Sequence, residues 1–359
     1  MPSYTTGGAN SLFVRTFLAF LLFLSSCDRV PTPRETGPSP FSVEFRIGDA
    51  SDTRATGITA SGERQVNRWT LCVYRLSDGQ LAAAGTSSSS ASIARTLPAG
   101  AYRAVALVNA PVSGPGWFDP SAFLTGDGPE EQTAYLSDNV SGSLEMYGSE
   151  NFFLETGPAS VAIPVMRLVS KVVLRKVTLR ISDASLAAYP FILDAVYLDN
   201  VPSRTMWGRD PLFDELGTAR SLWYNAMGWH ATGSCSSPAC PDALLGDRSV
   251  GVTIAQGSSH TADYTYYTVP NATAASQDTR SESWARWATR LVIEARIGQQ
   301  TQYYVASLPE MVRNHSYVIE EAVITGLGAG DPETETPNSL ELLFSVAEDG
   351  WEDGGTVIL

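Results

Sequence analysis

Histidine is scarce in this chain, with three in 359 residues, and His230, His260 and His315 fall in no motif that hydrolytic or metal chemistry uses. There is no G-x-S-x-G, no H-E-x-x-H, no phosphate-binding P-loop and no dinucleotide fingerprint. His230 precedes Cys235 and Cys240, but one His beside a C-x4-C pair supplies no complete tetrahedral set. The acidic runs "GDGPEE" (126–131) and "EDGWEDGG" (348–355) lack the ligand spacing of a calcium loop and read as solvated loops. No dense Lys/Arg run exists, and the formal net charge is -14, which excludes the basic face that a nucleic-acid binder needs. The sequence therefore nominates no catalytic set, no metal and no cofactor. It reads as a chain that is not an enzyme.

Long apolar runs are also missing, with one informative near-exception at the start. Arg15 precedes "FLAFLLFL" (17–24), which is too short to span a bilayer, and "LSSC" (24–27) closes it. This is an export signal over 1–27, and its ending is similar to a bacterial lipobox with Cys27 as the acylated residue. Export permits disulfides. Cys235 and Cys240, in the Gly/Ser/Pro-rich "CSSPAC", are candidates for a local bridge, and Cys72 alternates within an apolar run as a small buried side chain.

What is abundant is short, β-branched, alternating sequence. The period-2 pattern of "FSVEFRI" (41–47) places Phe41, Val43, Phe45 and Ile47 on one face of a strand. Strands are expected at 68–76, within 97–111, and on both sides of Pro164 in 160–181, where the proline marks a domain boundary. Further strands are expected at 191–198, 263–269, 289–297, 301–308, 315–326, 340–346 and 355–359. The turn "GQQ" (298–300) makes 289–308 a hairpin. Many short strands with few helical patterns predict an all-β chain of sandwiches. The division is signal 1–27, tether and first strand 28–54, one domain over 55–164 and a second over 165–359. The second carries an irregular insertion at 199–250, whose Trp207, Trp223 and Trp229 fit core anchors better than a ligand surface.

Five stretches together resemble the fimbrillins, the type V pilus subunits of Bacteroidales, and related fimbrial lipoproteins. They are the lipobox with its polar tether, "FSVEFRIGDASDTRATG" (41–57), "NRWTLCVYRLSDG" (67–79), "VMRLVSKVVLRKVTL" (165–179) with Arg167 and Lys171, and "YYVASLPEMVRNHSYVIEEAVITGLGAGDPE" (303–333). The match covers most of the chain and is weakest across 111–143 and 199–250. The resemblance implies two transthyretin-like β-sandwich domains in tandem. It implies a lipoprotein precursor held in the outer membrane through a lipid on Cys27. An Arg-specific surface protease would then cut between Arg54 and Ala55, release strand 41–47 and leave a groove for another subunit's strand. The product would be a cell-surface fimbrium, as stalk or tip, whose partners are other fimbrial subunits. Arg46 and Arg64 are the competing cut positions: Arg46 lies in the strand pattern, and Arg64 is exposed but does not match the motif.

The physics of such a release is simple. Four buried apolar side chains represent roughly 6–12 kcal/mol of gross burial, and an unpaired sheet edge recruits another strand. The incoming strand must itself alternate. "LELLFSV" (340–346), with Leu342, Phe344 and Val346 on one face, and "GTVIL" (355–359), with Val357 and Leu359, both qualify. Two other readings accommodate the same strands: an uncleaved fimbrial anchor, and a surface lipoprotein that binds a glycan or a host protein.

Overall fold

The computed structural model describes residues 40–49, 62–111, 131–212, 215, 222–224, 242–273, 287–332, 334, 336–347 and 356–358, with backbone alone at 49, 242–243, 344–347 and 356–358. Cys27, Arg54, Ala55, Trp229, His230, Cys235, Cys240 and Leu359 lie outside the described residues. Ser39–Leu359 forms one compact unit. The chain is all-β, as its alternating runs predict. Among the described residues no helix is long and apolar enough to cross a membrane.

The N-terminal part contains β1 (Phe41–Asp49), β2 (Trp69–Arg75), β3 (Leu81–Ser87), β4 (Ile93–Leu97), β5 (Gly100–Val108), β6 (Thr133–Tyr135), β7 (Met146–Leu154) and β8 (Ala159–Arg167). Seven of these strands form a continuous sheet in the order β3-β2-β5-β7-β8-β1-β4. The sheet folds over on itself at β7–β8, which pair only through Met146–Arg167 and Tyr147–Met166. Its two ends meet where the Arg95 guanidinium of β4 donates to the Ala84 carbonyl of β3 at 2.7 Å. The enclosed core packs Val43 and Phe45 of β1 against Trp69, Leu71, Tyr102 and Ala104.

The C-terminal part contains β9 (Ser170–Leu179), β10 (Phe191–Asp199), β11 (Val201–Pro202), β12 (Arg204–Met206), β13 (Trp223–Tyr224), β14 (Gly246–Asp247) and β15 (Val252–Ile254). It continues with β16 (Ser259–Thr268), β17 (Arg290–Ile297), β18 (Gln300–Ser307), β19 (Ser316–Ile324), β20 (Leu340–Ala347) and β21 (Thr356–Ile358). One sheet runs β14-β10-β17-β18 and the other β16-β9-β19-β20-β21. Side chains of both, such as Tyr197, Leu291 and Tyr304 from the first and Val172, Leu174 and Ile319 from the second, close a single core. The expected β17–β18 hairpin is present, and Gly298 takes the positive φ of 64° that its tight turn requires.

Three expectations need correction. Pro164 does not break the 160–181 run: β8 passes through it, and the interruption comes at Leu168–Val169. The proline is tolerated because its carbonyl points at Gly148 of β7. In an extended strand the nitrogen faces the same side, where β7 and β8 are no longer paired, so no ladder donor is lost. Segment 199–250 is less detached than its composition suggests, because β12 pairs with β6 and Trp207 is fully buried beside Cys72, Val105 and Leu107 of the N-terminal part. Arg64, expected to be exposed, is half-buried. Strands β3, β4 and β7 carry weak signals. β3 is Ala/Gly/Ser-rich, β4 is five residues long, and β7 leaves Phe153 66% exposed.

Candidate functional site

The position of β1 follows from its side chains. Val43 and Phe45 are completely buried, while Phe41 and Ile47 are half-buried and pack on the same core. Full burial of two residues rather than four reduces the gross apolar contribution to roughly 3–6 kcal/mol plus a smaller part from the flanking pair. The Phe45 ring meets Phe152 edge-on at 5.5 Å, and Phe152 in turn stacks on Tyr102 at 5.4 Å. Ser42 and Arg46 face water, and Arg46 pairs with Glu44 at 2.9 Å on the exposed surface.

β1 is an interior strand, although it is the first one described in the chain. It runs parallel to β8, with Val43 opposite Ala159 through to Asp49 opposite Val165. It runs antiparallel to β4, with Phe41 opposite Leu97 and Phe45 opposite Ile93. Taking β1 away would therefore bare β8 and β4 together and open a slot between them. Beneath its C-terminal end lies a cavity of about 160 Å³ bordered by Ile47, Gly48, Val66, Val165, Arg64 and Arg167. The expected cut at Arg54–Ala55 falls in the segment after β1, outside the described residues.

Where description resumes, the chain is fastened down. Glu63 is 2% exposed. Its carboxylate accepts from Lys171 Nζ at 3.1 Å and from the Tyr267 hydroxyl at 2.6 Å. Its backbone carbonyl accepts from Arg167 Nε at 3.0 Å. Burial first, and then the hydrogen bond to Glu63, pushes the Tyr267 phenol well above its ordinary range. Two residues on, the side chain of Asn109, itself at a positive φ of 57°, takes up the Gln65 carbonyl at 2.8 Å and the Asn67 amide at 2.9 Å. Arg167 and Lys171, the two cations within the largely apolar stretch 165–174, are the signal in the sequence that a buried anion had to exist. Nothing in the polar "SGERQ" points to Glu63 as that anion.

The 313–317 stretch completes the same junction. Arg313 donates to the carbonyls of Trp207 at 2.8 Å and Met206 at 3.0 Å, and also pairs with Asp210. Asn314 accepts from Arg167 Nη1 at 3.1 Å, and the Tyr317 hydroxyl donates to the Glu310 carbonyl at 2.6 Å. The polar residues of this motif thus tie β19 and β12 to the β8–β9 crossing. His315 Nδ1 lies 2.8 Å from the Arg313 carbonyl and His260 Nε2 lies 3.0 Å from the Tyr264 hydroxyl. Among the described residues no three metal-binding side chains gather. Cys72 is fully buried and unbridged, and burial pushes its thiol up to about 12.

The two stretches expected to supply an incoming strand are paired within the chain. β20 lies along β19, with Leu340 and Leu342 buried in the C-terminal core and Leu343 37% exposed. β21 adds three residues to the far side of β20, with Val357 opposite Phe344.

An all-β chain of two layered cores, with its first strand inserted between a parallel and an antiparallel neighbour, matches solved structures over nearly its whole length. A fimbrilin of Porphyromonas gingivalis W83 superposes with a TM-score of 0.54 at 17% identity, over 88% of this chain and 99% of that one. The fold is a fimbrilin fold. A candidate cell adhesion protein of Bacteroides eggerthii DSM 20697 shares it with a TM-score of 0.58 at 17% identity, over 88% and 97% of the two chains. One of Parabacteroides distasonis ATCC 8503 does so at 0.57 and 15%, over 88% and 98%. No protein-family model matches the sequence, and no curated protein matches it. At such low identity the fimbrilin fold is carried by pattern and buried contacts rather than by retained residues.

Proposed function

We propose that this protein is a structural subunit of a type V fimbria, stalk or tip, that serves adhesion to host or other bacteria. It is exported as a lipoprotein on Cys27 to the outer membrane. An Arg-specific surface protease cuts it between Arg54 and Ala55, and it then polymerises by donor-strand exchange with other fimbrial subunits. The observation that carries this reading is the place of β1: a strand near the start of the chain, seated between β8 and β4, with a segment containing an Arg-Ala bond directly behind it. Loss of an interior strand opens a slot with two unpaired edges, and such a slot accepts a replacement strand. While β1 fills it, subunits cannot join early. The fimbrilin fold supports the same reading.

N-terminal sequencing of protein taken from the cell surface tests the proposal. A chain beginning at Ala55, running as a ladder in mild detergent, is the expected result. A chain beginning at lipidated Cys27 overturns the cut and makes the protein an uncleaved anchor. The glycan- or host-protein-binding reading loses its motivation at Trp207 and Trp223, because both rings are buried rather than displayed.

A further inference from the structure

The two walls of the β1 slot are held in different ways. β8 keeps a ladder to β7 at Met146–Arg167 and Tyr147–Met166 when β1 is taken away. β4 has no such ladder: among the described residues it pairs along β1 and along no other strand. Its sequence carries a fastening of another kind. "IARTL" (93–97) buries Ile93 and Leu97, and Arg95 falls between them on the same face, opposite the fully buried Val43. A cation on an apolar face needs acceptors.

Arg95 finds them at the seam where the two ends of the sheet meet. Its Nε donates to the Ala84 carbonyl of β3 at 2.7 Å, and its Nη1 donates to the Ala94 carbonyl of β4 at 2.7 Å. One guanidinium thus holds a carbonyl from each of the two facing strands. Gly85 makes room for it, because a Cβ there would take the place of Arg95 Nη2. Two further bonds hold the ends of β4. The Trp69 indole of β2 donates to the Ala91 carbonyl at 3.1 Å, and the Tyr102 hydroxyl of β5 donates to the Pro98 carbonyl at 3.0 Å. None of these bonds involves β1. We propose that Arg95, seated over Gly85, is a latch that keeps β4 in place when β1 leaves, so that the emptied slot retains its β4 wall as a template. The departure of β1 rests on the proposed function, whereas the latch is a property of the subunit alone.

Thermolysin cuts before large apolar residues, and before buried ones only when their strand detaches, so native-state cleavage of the full-length, uncut chain reads β1 and β4 separately. Val43→Glu with Phe45→Glu puts two carboxylates into the apolar core and unseats β1. Cuts before Ile47 are expected in that chain, with β4 spared at Ile93 and Leu97. Adding Arg95→Met, or Gly85→Val to displace the guanidinium while keeping Arg95, is expected to raise cleavage at Ile93 and Leu97 at least about tenfold, the order given by one lost charge-assisted hydrogen bond. Arg95→Met or Gly85→Val alone, with β1 seated, is expected to leave β4 uncut. Cleavage of β4 as fast as β1 with Arg95 and Gly85 intact overturns the latch. So does a β4 that stays protected once β1 is cut and the latch is gone. Leu71 and Val105 report the rest of the sheet, and cuts there that keep pace with those in β4 mean general unfolding and overturn the latch as well. No step needs the Arg54–Ala55 bond to break. Surface protein that is never cut there overturns the proposed function and leaves the latch standing.

Discussion

β1 and β20 are close in length and alternation, yet the sheets treat them differently. β1 has a full neighbour on each side, and two of its residues are completely buried. β20 has β19 on one side and only the three-residue β21 on the other. Removing β1 creates two bare edges facing each other across a slot, whereas removing β20 bares the β19 edge at the rim of a sheet and unpairs only the three residues of β21. The difference teaches where a replacement strand binds well. A slot offers hydrogen bonds on both sides and an apolar floor, and a rim offers one ladder.

The largest effect that could break this comparison is a loss of assembly. Arg54→Ala is expected to leave folded, lipidated monomer at the surface, read as the disappearance of ladders in mild detergent. Normal ladders from that variant would remove the cut at this bond. Next comes stability of the uncut chain. Phe45→Ala is expected to cost about 3–5 kcal/mol in urea unfolding, as removal of a fully buried aromatic ring does. Leu343→Ala, half-exposed on β20, is expected to stay within about 0.5 kcal/mol. Equal costs at the two positions would erase the distinction between slot and rim.

Glu63→Gln sharpens the comparison at the slot's far side. It leaves the Lys171 ammonium buried without its counter-charge, a change that costs about 3 kcal/mol or more in comparable sites. Adding Lys171→Met is expected to restore most of that loss, and no restoration would show that the pair acts through something other than charge. The smallest effect concerns Glu145, fully buried, whose carboxyl is pushed well above the ordinary range, by burial first and then by the nearby Asp138 charge. The folded state therefore holds a proton there that the unfolded chain releases. Stability from this group falls as pH rises from the ordinary carboxylate pKa toward the folded one. Glu145→Gln is expected to remove that part of the slope and to raise stability at neutral pH, as followed by thermal unfolding between pH 4.5 and 7.5.

Much of the fold was legible because most of its strands obey the period-2 rule. β1, β2, β5, β10 and β17 to β20 each show apolar residues recurring at the spacing of a pleat. β3, β4 and β7 escaped because small, polar or outward-facing residues dilute that pattern. The strand break at Pro164 was misplaced because proline stops a strand only where its missing donor is needed, and here the facing strand has already turned away. The site was half legible. The alternation of β1 showed which face is buried, but not that β1 lies between two partners, since pairing is a property of distant residues. Arg167 and Lys171 announced a buried anion without naming it. Glu63 lies more than a hundred residues away in sequence, and a carboxylate in a polar stretch looks like any surface residue.

The parallel pairing of β1 with β8 also has a mechanical meaning. Any strand seated in that slot and pulled along its own axis loads its rungs against both neighbours at the same moment. The joint yields by shear rather than by unzipping from one end. A filament built by the proposed strand exchange would carry tension at each joint through many weak bonds acting together.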